Sequence, residues 1–268
     1  MRKSLIKIRG LRKSFSQSSG CLTAIENVQL DIYEKEFVCI LGPSGCGKST
    51  LLNILARLDS QYEGSVEVGG APLEETKLRM AYVFQEPRLL PWLTLKQNLH
   101  FVTDSLKIDK ESIDTRIGSN LALVGLKGFE NSYPYQLSGG MQQRAAIARA
   151  LCIDPEILLM DEPFSGLDEI TARSLRKELT RIWQETGKAV VFVTHNWYEA
   201  SYLADRILVM KDRPGHIIKE VPVLIDRPRS YEDPRVFEFS SLLVKDFLSL
   251  IGGEESTEEN MPREVANS

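Results

Sequence analysis

The apolar residues of this chain fall in short solid blocks. FVCIL (37–41), MAYVF (80–84), ILLM (157–160), AVVFVT (189–194) and RILVM (206–210) lack the polar alternation of a half-exposed strand. They are rich in β-branched or aromatic residues and are followed by polar or glycine residues. That pattern predicts strands covered on both faces and therefore parallel. Helical text lies between some of them. KSTLLNILARL follows the first block, and TARSLRKELTRIWQET precedes the fourth and stops at Gly187. Strands alternating with helices predict an α/β layered sheet. Residues 87 to about 155 break this rhythm. They hold no convincing buried strand, and NLALVGLKGF and GGMQQRAAIARAL read as helical. We therefore expect a helical subdomain over 87–155, closed by Asp154-Pro155 and inserted into an α/β lobe formed by 1–86 and 156–225. Beyond Asp212 the text turns proline-rich, which predicts an irregular C-terminal extension over 226–268.

Composition changes this picture only at the end of the chain. The formal net charge of the 268 residues is −4. The last stretch, IGGEESTEENMPREVANS, accounts for all of it, and its polarity predicts disorder over 252–268. The remainder is balanced, so no net basic field favours nucleic acid. The N-terminus, MRKSLIKIRG, lacks the apolar core of a signal peptide, and no apolar run approaches the ~18 residues of a membrane span. Cys21, Cys39, Cys46 and Cys152 show no metal-site spacing, which fits a reducing cytosol.

The candidate chemistry begins directly after the first block. GPSGCGKS, Gly42 to Ser49, fits G-x-x-x-x-G-K-[ST] with an apolar strand before it and a helix after it. Gly42, Gly45 and Gly47 let consecutive N–H groups turn inward, and the helix adds its positive end. In such a loop Lys48 reaches the β/γ-phosphates and the Ser49 hydroxyl can hold Mg²⁺. A partner motif, ILLMDEP, puts Asp161 at the carboxyl end of a strand, where open α/β sheets place ligands. Asp161 can hold Mg²⁺ through water, and Glu162 can orient or deprotonate an attacking water.

A second phosphate grip follows in YPYQLSGGMQQRAAIARAL (133–151). Ser138 is a helix N-cap residue by type, and taken alone the segment is no more than a capped helix. It lies between the phosphate loop and the Asp-Glu strand end, however. With these motifs in order, the chain resembles the ATP-binding cassette (ABC) ATPases over about residues 5 to 225, and LSGGM looks like their signature motif.

The resemblance implies a P-loop NTPase (RecA-like) fold, a mixed sheet flanked by helices with an inserted α-helical subdomain. It implies ATP and Mg²⁺ as cofactors and a Mg²⁺-dependent ATPase. It also implies head-to-tail pairing with a second cassette subunit, a homodimer in the simplest case. Ser138, Gly139 and Gly140 of one chain then meet the γ-phosphate held by the other chain's loop (Gly42, Pro43, Ser44, Gly45, Cys46, Gly47, Lys48, Ser49 and Thr50). Phe15 matches the residue stacked on adenine, where Tyr is more usual. Gln85 matches the residue that contacts Mg²⁺ and links the lobes. Asp168 matches the loop that communicates across the dimer, and His195 the switch histidine at the γ-phosphate. Met141-Gln142, Asn196 and Arg57 depart from the commoner residues of the family. Cys46, near a helix N-terminus, is expected to be sensitive to thiol reagents and protected by ATP.

A single cassette without a long heptad insertion points to a transporter subunit at the cytoplasmic face of the inner membrane. Leu89, Leu90, Trp92 and Leu93 around Pro91 lie where the family receives a helix of its membrane permease. FQEPRLLPW and RPGHIIKEVPVLIDRPR resemble the branch serving nitrate, sulfonate and taurine import, with an external solute-binding protein as indirect partner and no nucleic acid. The alternatives are an exporter or lipid transporter, and a non-transport ATPase clamp acting on nucleic acid or a protein complex. A binding-only nucleotide switch is disfavoured by Glu162 and His195.

Overall fold

The computed structural model describes residues 3–17, 20–103, 110–211 and 213–255. Its centre is a six-stranded sheet. Strands β3 (Phe37–Leu41), β6 (Met80–Val83), β7 (Ile157–Asp161), β8 (Ala189–Thr194) and β9 (Arg206–Lys211) run parallel, with β10 (His216–Pro222) antiparallel at one edge. The order is β10-β9-β3-β8-β7-β6. These are the five apolar blocks of the sequence, and β3 and β8 are buried throughout because both faces are covered.

The two faces belong to different cores. Phe37, Cys39, Leu41, Leu158, Met160, Val190 and Phe192 point into a core shared with the helices. Val38, Ile40, Ile157, Leu159, Val191 and Val193 point into a second core, closed by another sheet and by helix α1 (Lys48–Leu55). That second sheet is antiparallel and ordered β2-β1-β4-β5, from β1 (Ser4–Gln17), β2 (Gly20–Tyr33), β4 (Glu63–Val68) and β5 (Ala71–Pro72). The block pattern did not reveal it. Its long strands β1 and β2 are half-exposed, and register shifts between Ile8 and Leu11 and between Leu11 and Lys13 break their alternation.

Between β6 and β7 the chain forms α2 (Leu95–Thr103), α3 (Lys110–Leu123) and α4 (Gly139–Cys152). The run NLALVGLKGF is helical only to Leu123, and Gly125 and Gly128, both at positive φ, end it in turns. Helix α5 (Glu169–Thr186) stops at Gly187 in the left-handed conformation, whose N–H closes on the Trp183 carbonyl. Helix α6 (Trp197–Leu203) follows β8.

The C-terminal extension corrects the expectation of irregular chain. Residues Pro234–Glu255 form the 22-residue helix α7. Val236 and Leu243 are buried, and Phe247 packs on Trp197 of α6 with ring centroids 4.9 Å apart. The disorder expected from 252 is corrected over 252–255, which end this helix; 256–268 lie outside the described residues. No helix among the described residues is long and apolar enough to cross a membrane.

Candidate active site

The phosphate loop is wedged between the two sheets. It leaves β3 at Leu41 and enters α1 at Lys48, with Gly47 at φ 96° capping the helix. A side chain at Gly47 would be strained by that φ, and its Cβ would stand 2.4 Å from Ile25 Cγ2. Gly215 closes the loop from the other side: a Cβ there would lie 1.8 Å from the Cys46 carbonyl oxygen. Gly215 is itself held by β2, donating to the Ala24 carbonyl and accepting from the Glu26 N–H, each at 2.9 Å. The loop is thus set by backbone packed on backbone. Lys48 is 4% exposed and turns inward, donating to the Gly42 and Pro43 carbonyls at 2.9 and 2.8 Å, with Glu162 Oε1 3.7 Å away.

The end of β7 supplies the acids. Asp161 accepts from Ser49 Oγ through Oδ1 and from the Tyr82 hydroxyl through Oδ2, both at 3.0 Å. Burial raises its carboxyl above the ordinary aspartate range, against the pull of these two hydrogen bonds. Glu162 follows in a left-handed conformation, φ 42°, with its N–H donating to the Val193 carbonyl. A non-glycine residue at positive φ is a strained choice, and here it swings the carboxylate between Lys48 and His195. His195 Nδ1 stands 2.8 Å from Glu162 Oε2. Lys48, Ser49, Asp161, Glu162 and His195, apart by up to 147 positions, therefore meet in one place.

The histidine loop rests on a buried ion pair that the motifs did not reveal. Glu199 is 4% exposed and accepts from the Thr194 hydroxyl and from Arg176 Nε at 2.9 Å. Burial pushes this carboxyl up, opposed by Thr194 and Arg176. The sequence does carry a signal, Asn196-x-x-Glu199, which is a helix start with an acid at its third position. Asn196 Oδ1 accepts from the Glu199 N–H at 3.0 Å. Arg176 also donates to Glu169 at 2.9 Å. Asp168, one residue earlier, caps α5 by accepting from the Thr171 N–H at 3.0 Å, which draws its carboxyl down.

The second grip stands apart. Ser138 caps α4, accepting from the Met141 N–H at 3.3 Å, and neither Ser138 nor Gly139 and Gly140 hydrogen-bond to the phosphate loop. Their neighbours are Leu167 and Thr171: a Cβ on Gly140 would meet Thr171 Cγ2 at 2.6 Å. Helix α4 instead steadies the loop after β6. Gln143 donates to the Phe84 carbonyl at 3.3 Å, and Arg149 to the Arg88 and Pro87 carbonyls at 2.7 and 2.8 Å. Gln85, inside that loop, is exposed and its side chain makes no hydrogen bond. Next along, Asn98 is buried and holds residues 90–94 through Leu90, Leu93 and Thr94, leaving Trp92 69% exposed.

Phe15 is exposed on β1, with Lys13 Nζ 4.8 Å from its ring centroid. Lys13 pairs across the ladder with Ile25, the residue packed on Gly47, so Phe15 lies two positions from the strand's contact with the loop. Cys46 corrects the expected thiol sensitivity. Its side chain is fully buried in the second core, so the fold shields it from reagents before any nucleotide does. Arg57 takes φ 59°, which accounts for glycine as the commoner residue there.

Among the described residues no three His, Cys, Asp or Glu side chains could hold a metal by themselves. The pair Ser49 and Asp161 nevertheless fits Mg²⁺. It offers hard oxygens and a half-buried carboxylate in no ion pair with a cationic side chain, and Mg²⁺ completes such a partial set with water and phosphate.

Residues 25–165 match the sequence profile of the family described as ABC transporter. The aliphatic sulfonates import ATP-binding protein of Bacillus licheniformis is 40% identical over 242 residues, covering 90% of this chain and 94% of that protein. The bicarbonate transport ATP-binding protein of Synechocystis is 40% identical over 252 residues, covering 91% and 89%. Among solved structures, a dimeric ATP-binding cassette in a post-hydrolysis state with ADP and phosphate superposes with TM-score 0.72 at 33% identity, covering 83% of this chain and all of that one. With a phosphate loop, an Asp-Glu strand end and a histidine gathered at the carboxyl ends of three neighbouring strands, the chain is an ATP-hydrolysing cassette and belongs to the ABC transporter family.

Proposed function

We propose that this cassette drives uptake of a small anion through a separate membrane permease. The observation that carries the reading is the meeting of Lys48, Glu162 and His195 within 3.7 Å contacts beside the phosphate loop. That is hydrolytic machinery, on a chain akin to import subunits for sulfonates and bicarbonate. Both of those solutes are anions.

The proposed roles are these. Loop N–H groups from Gly42 to Thr50 hold the phosphates, and Lys48 exchanges the Gly42 and Pro43 carbonyls for phosphate oxygens. Phe15 stacks on the adenine. Ser49 and Asp161 hold Mg²⁺, joined by Gln85; the ion's chemistry is to neutralise phosphate charge. Glu162 accepts the proton of the attacking water, and His195 orients Glu162 through Nδ1, which leaves its other nitrogen for the γ-phosphate. Ser138, Gly139 and Gly140 serve the site of a second copy, since they bond nothing in their own loop. Asp168 signals across that dimer. The division into an α/β lobe (1–86 and 156–225) and a helical subdomain (87–155) lets the two halves of a composite site move. Trp92 and its neighbours meet the permease, and an external binding protein delivers the solute.

The test is to recover the tagged protein from detergent-solubilised native membranes. A multi-span permease in the eluate is expected. A soluble complex or nucleic acid in its place would leave the ATPase intact and overturn the transport reading.

A further inference from the structure

A cavity of about 810 Å³ lies between α5 and the segment 228–232. It is lined along one face of α5 by Ile170, Arg173, Lys177 and Arg181, spaced three and four apart, and from the other side by Arg229 and Tyr231. None of these belongs to the nucleotide site. The size is that of a small-molecule pocket, far above what a lone ion needs.

Its charge is unbalanced. Four cations, Arg173, Lys177, Arg181 and Arg229, face two acids, Glu178 and Glu232. The acids are already engaged, Glu178 by Arg181 and Glu232 by Arg173. Lys177 makes no ion pair among the described residues. Arg229 is 7% exposed, and its guanidinium donates only to carbonyls, those of Ser201, Tyr202, Ala204, Val223 and Ile225. Burial and the neighbouring Arg227 push it down to about 10, the mark of a cation short of negative charge. Tyr202 and Tyr231 supply apolar surface beside these cations, and Arg173 lies 4.4 Å over the Tyr231 ring.

The wall of this cavity is wired to the catalytic histidine. The Tyr231 hydroxyl donates to Glu169, Glu169 accepts from Arg176 at 2.9 Å, Arg176 donates to Glu199 at 2.9 Å, and Glu199 accepts from Thr194, the residue before His195. Each link is a hydrogen bond between charged or hydroxyl groups, four of them in sequence. A ligand that repositions Tyr231 acts on Glu169, next to Asp168, and on the histidine loop together.

We propose that this cavity is a regulatory site for a small organic anion, an acidic head on an apolar body, whose binding is transmitted to His195 through Tyr231, Glu169, Arg176 and Glu199. The head meets Lys177, with the buried positive charge of Arg229 behind it, and the body lies against the tyrosines. The reading uses the ATPase activity alone and is independent of which solute is carried, so it fails or stands separately from the import assignment.

The experiment uses the full chain and 2-naphthalenesulfonate, a fluorescent anion of this shape, titrated with and without saturating ATP. Saturable binding that saturating ATP does not displace is expected, about tenfold weaker in Lys177→Glu and about tenfold weaker for the neutral 2-naphthylmethanol. Lys177 lies outside the nucleotide site, so Lys177→Glu keeps the basal ATPase rate. Bound anion changes the wild-type ATPase rate by more than about twofold, and Tyr231→Phe keeps the affinity but loses that response. Absent or non-saturable binding, equal affinity in Lys177→Glu, displacement by ATP, or binding that leaves the wild-type rate unmoved would each overturn the proposal.

Discussion

Asp161 and Glu162 are neighbours with opposite demands on their surroundings. Asp161 sits among buried atoms and two hydroxyls, so it takes a proton at higher pH than an ordinary aspartate. Mg²⁺ needs the ionised form. Mg·ATP binding is therefore expected to fall on acidification earlier than a free carboxylate would dictate. Tyr82→Phe removes one of the bonds that hold Asp161 down, and should move that acid limb further up, read by nucleotide titration against pH. The same burial has a stability sign. A carboxyl whose folded pKa is raised binds its proton more tightly in the fold, so stability declines as pH rises from the ordinary aspartate range through the raised value. Asp161→Asn should then raise the thermal midpoint at neutral pH while abolishing Mg²⁺-dependent turnover. Glu162 is the base. Glu162→Gln keeps its shape and its place beside His195 but takes no proton, so single-turnover hydrolysis should drop by about 10²–10⁴ with nucleotide affinity retained. Both acids, Lys48 and Ser49 were legible in the sequence, because their motifs are local and flanked by a strand and a helix. Tyr82 was not, since nothing in MAYVF says which residue faces the acid across a parallel pair.

Among the elements, the short solid strands were readable and the long exposed ones were not. A strand covered on both faces is apolar at every position, as β8 is, whereas β1 and β2 face partly outward and shift register at bulges. Helix α7 is the instructive failure. Proline-rich text suggested irregular chain, yet Asp233-Pro234 is a helix start. Val236, Leu243 and Phe247 at intervals of seven and four carry its buried stripe, and Asp246 pairs with Lys219 of β10 at 2.6 Å. The segment before it is pinned by Arg229, which satisfies five carbonyls. Arg229→Met keeps the length and strips the donors, leaving buried carbonyls unpaired. The expected loss is on the order of 3 kcal/mol, seen as a lower denaturation midpoint.

On the scale of the whole molecule, one chain holds a phosphate loop and a second, proposed phosphate grip that do not touch. The loop at Gly47 lies between the sheets, while Ser138 opens α4 against Leu167 and Thr171. If each serves a different copy, damaging the second grip spares binding and removes assembly. Ser138→Arg in a Glu162→Gln background is expected to bind ATP with unchanged affinity and to remain monomeric by light scattering where the single Glu162→Gln variant dimerises. A cap is lost as well, worth about 1 kcal/mol, so the folded fraction is checked by circular dichroism. Dimerisation of the double variant would remove Ser138 from the interface.

The linear chain by itself determined the five parallel strands, the phosphate loop, the Asp-Glu strand end and the capped helix at Ser138. Each is a short-range pattern in which neighbours in sequence are also neighbours in space. Only the tertiary structure decided that His195 meets Glu162, that Glu199 and Arg176 lie behind them, and that Cys46 is shut away. It also decided that Arg229 is stranded among carbonyls at the edge of a cavity. These contacts join residues tens of positions apart, and burial, which sets their charge and reach, is a property of what packs around a residue and not of the residues beside it in the chain.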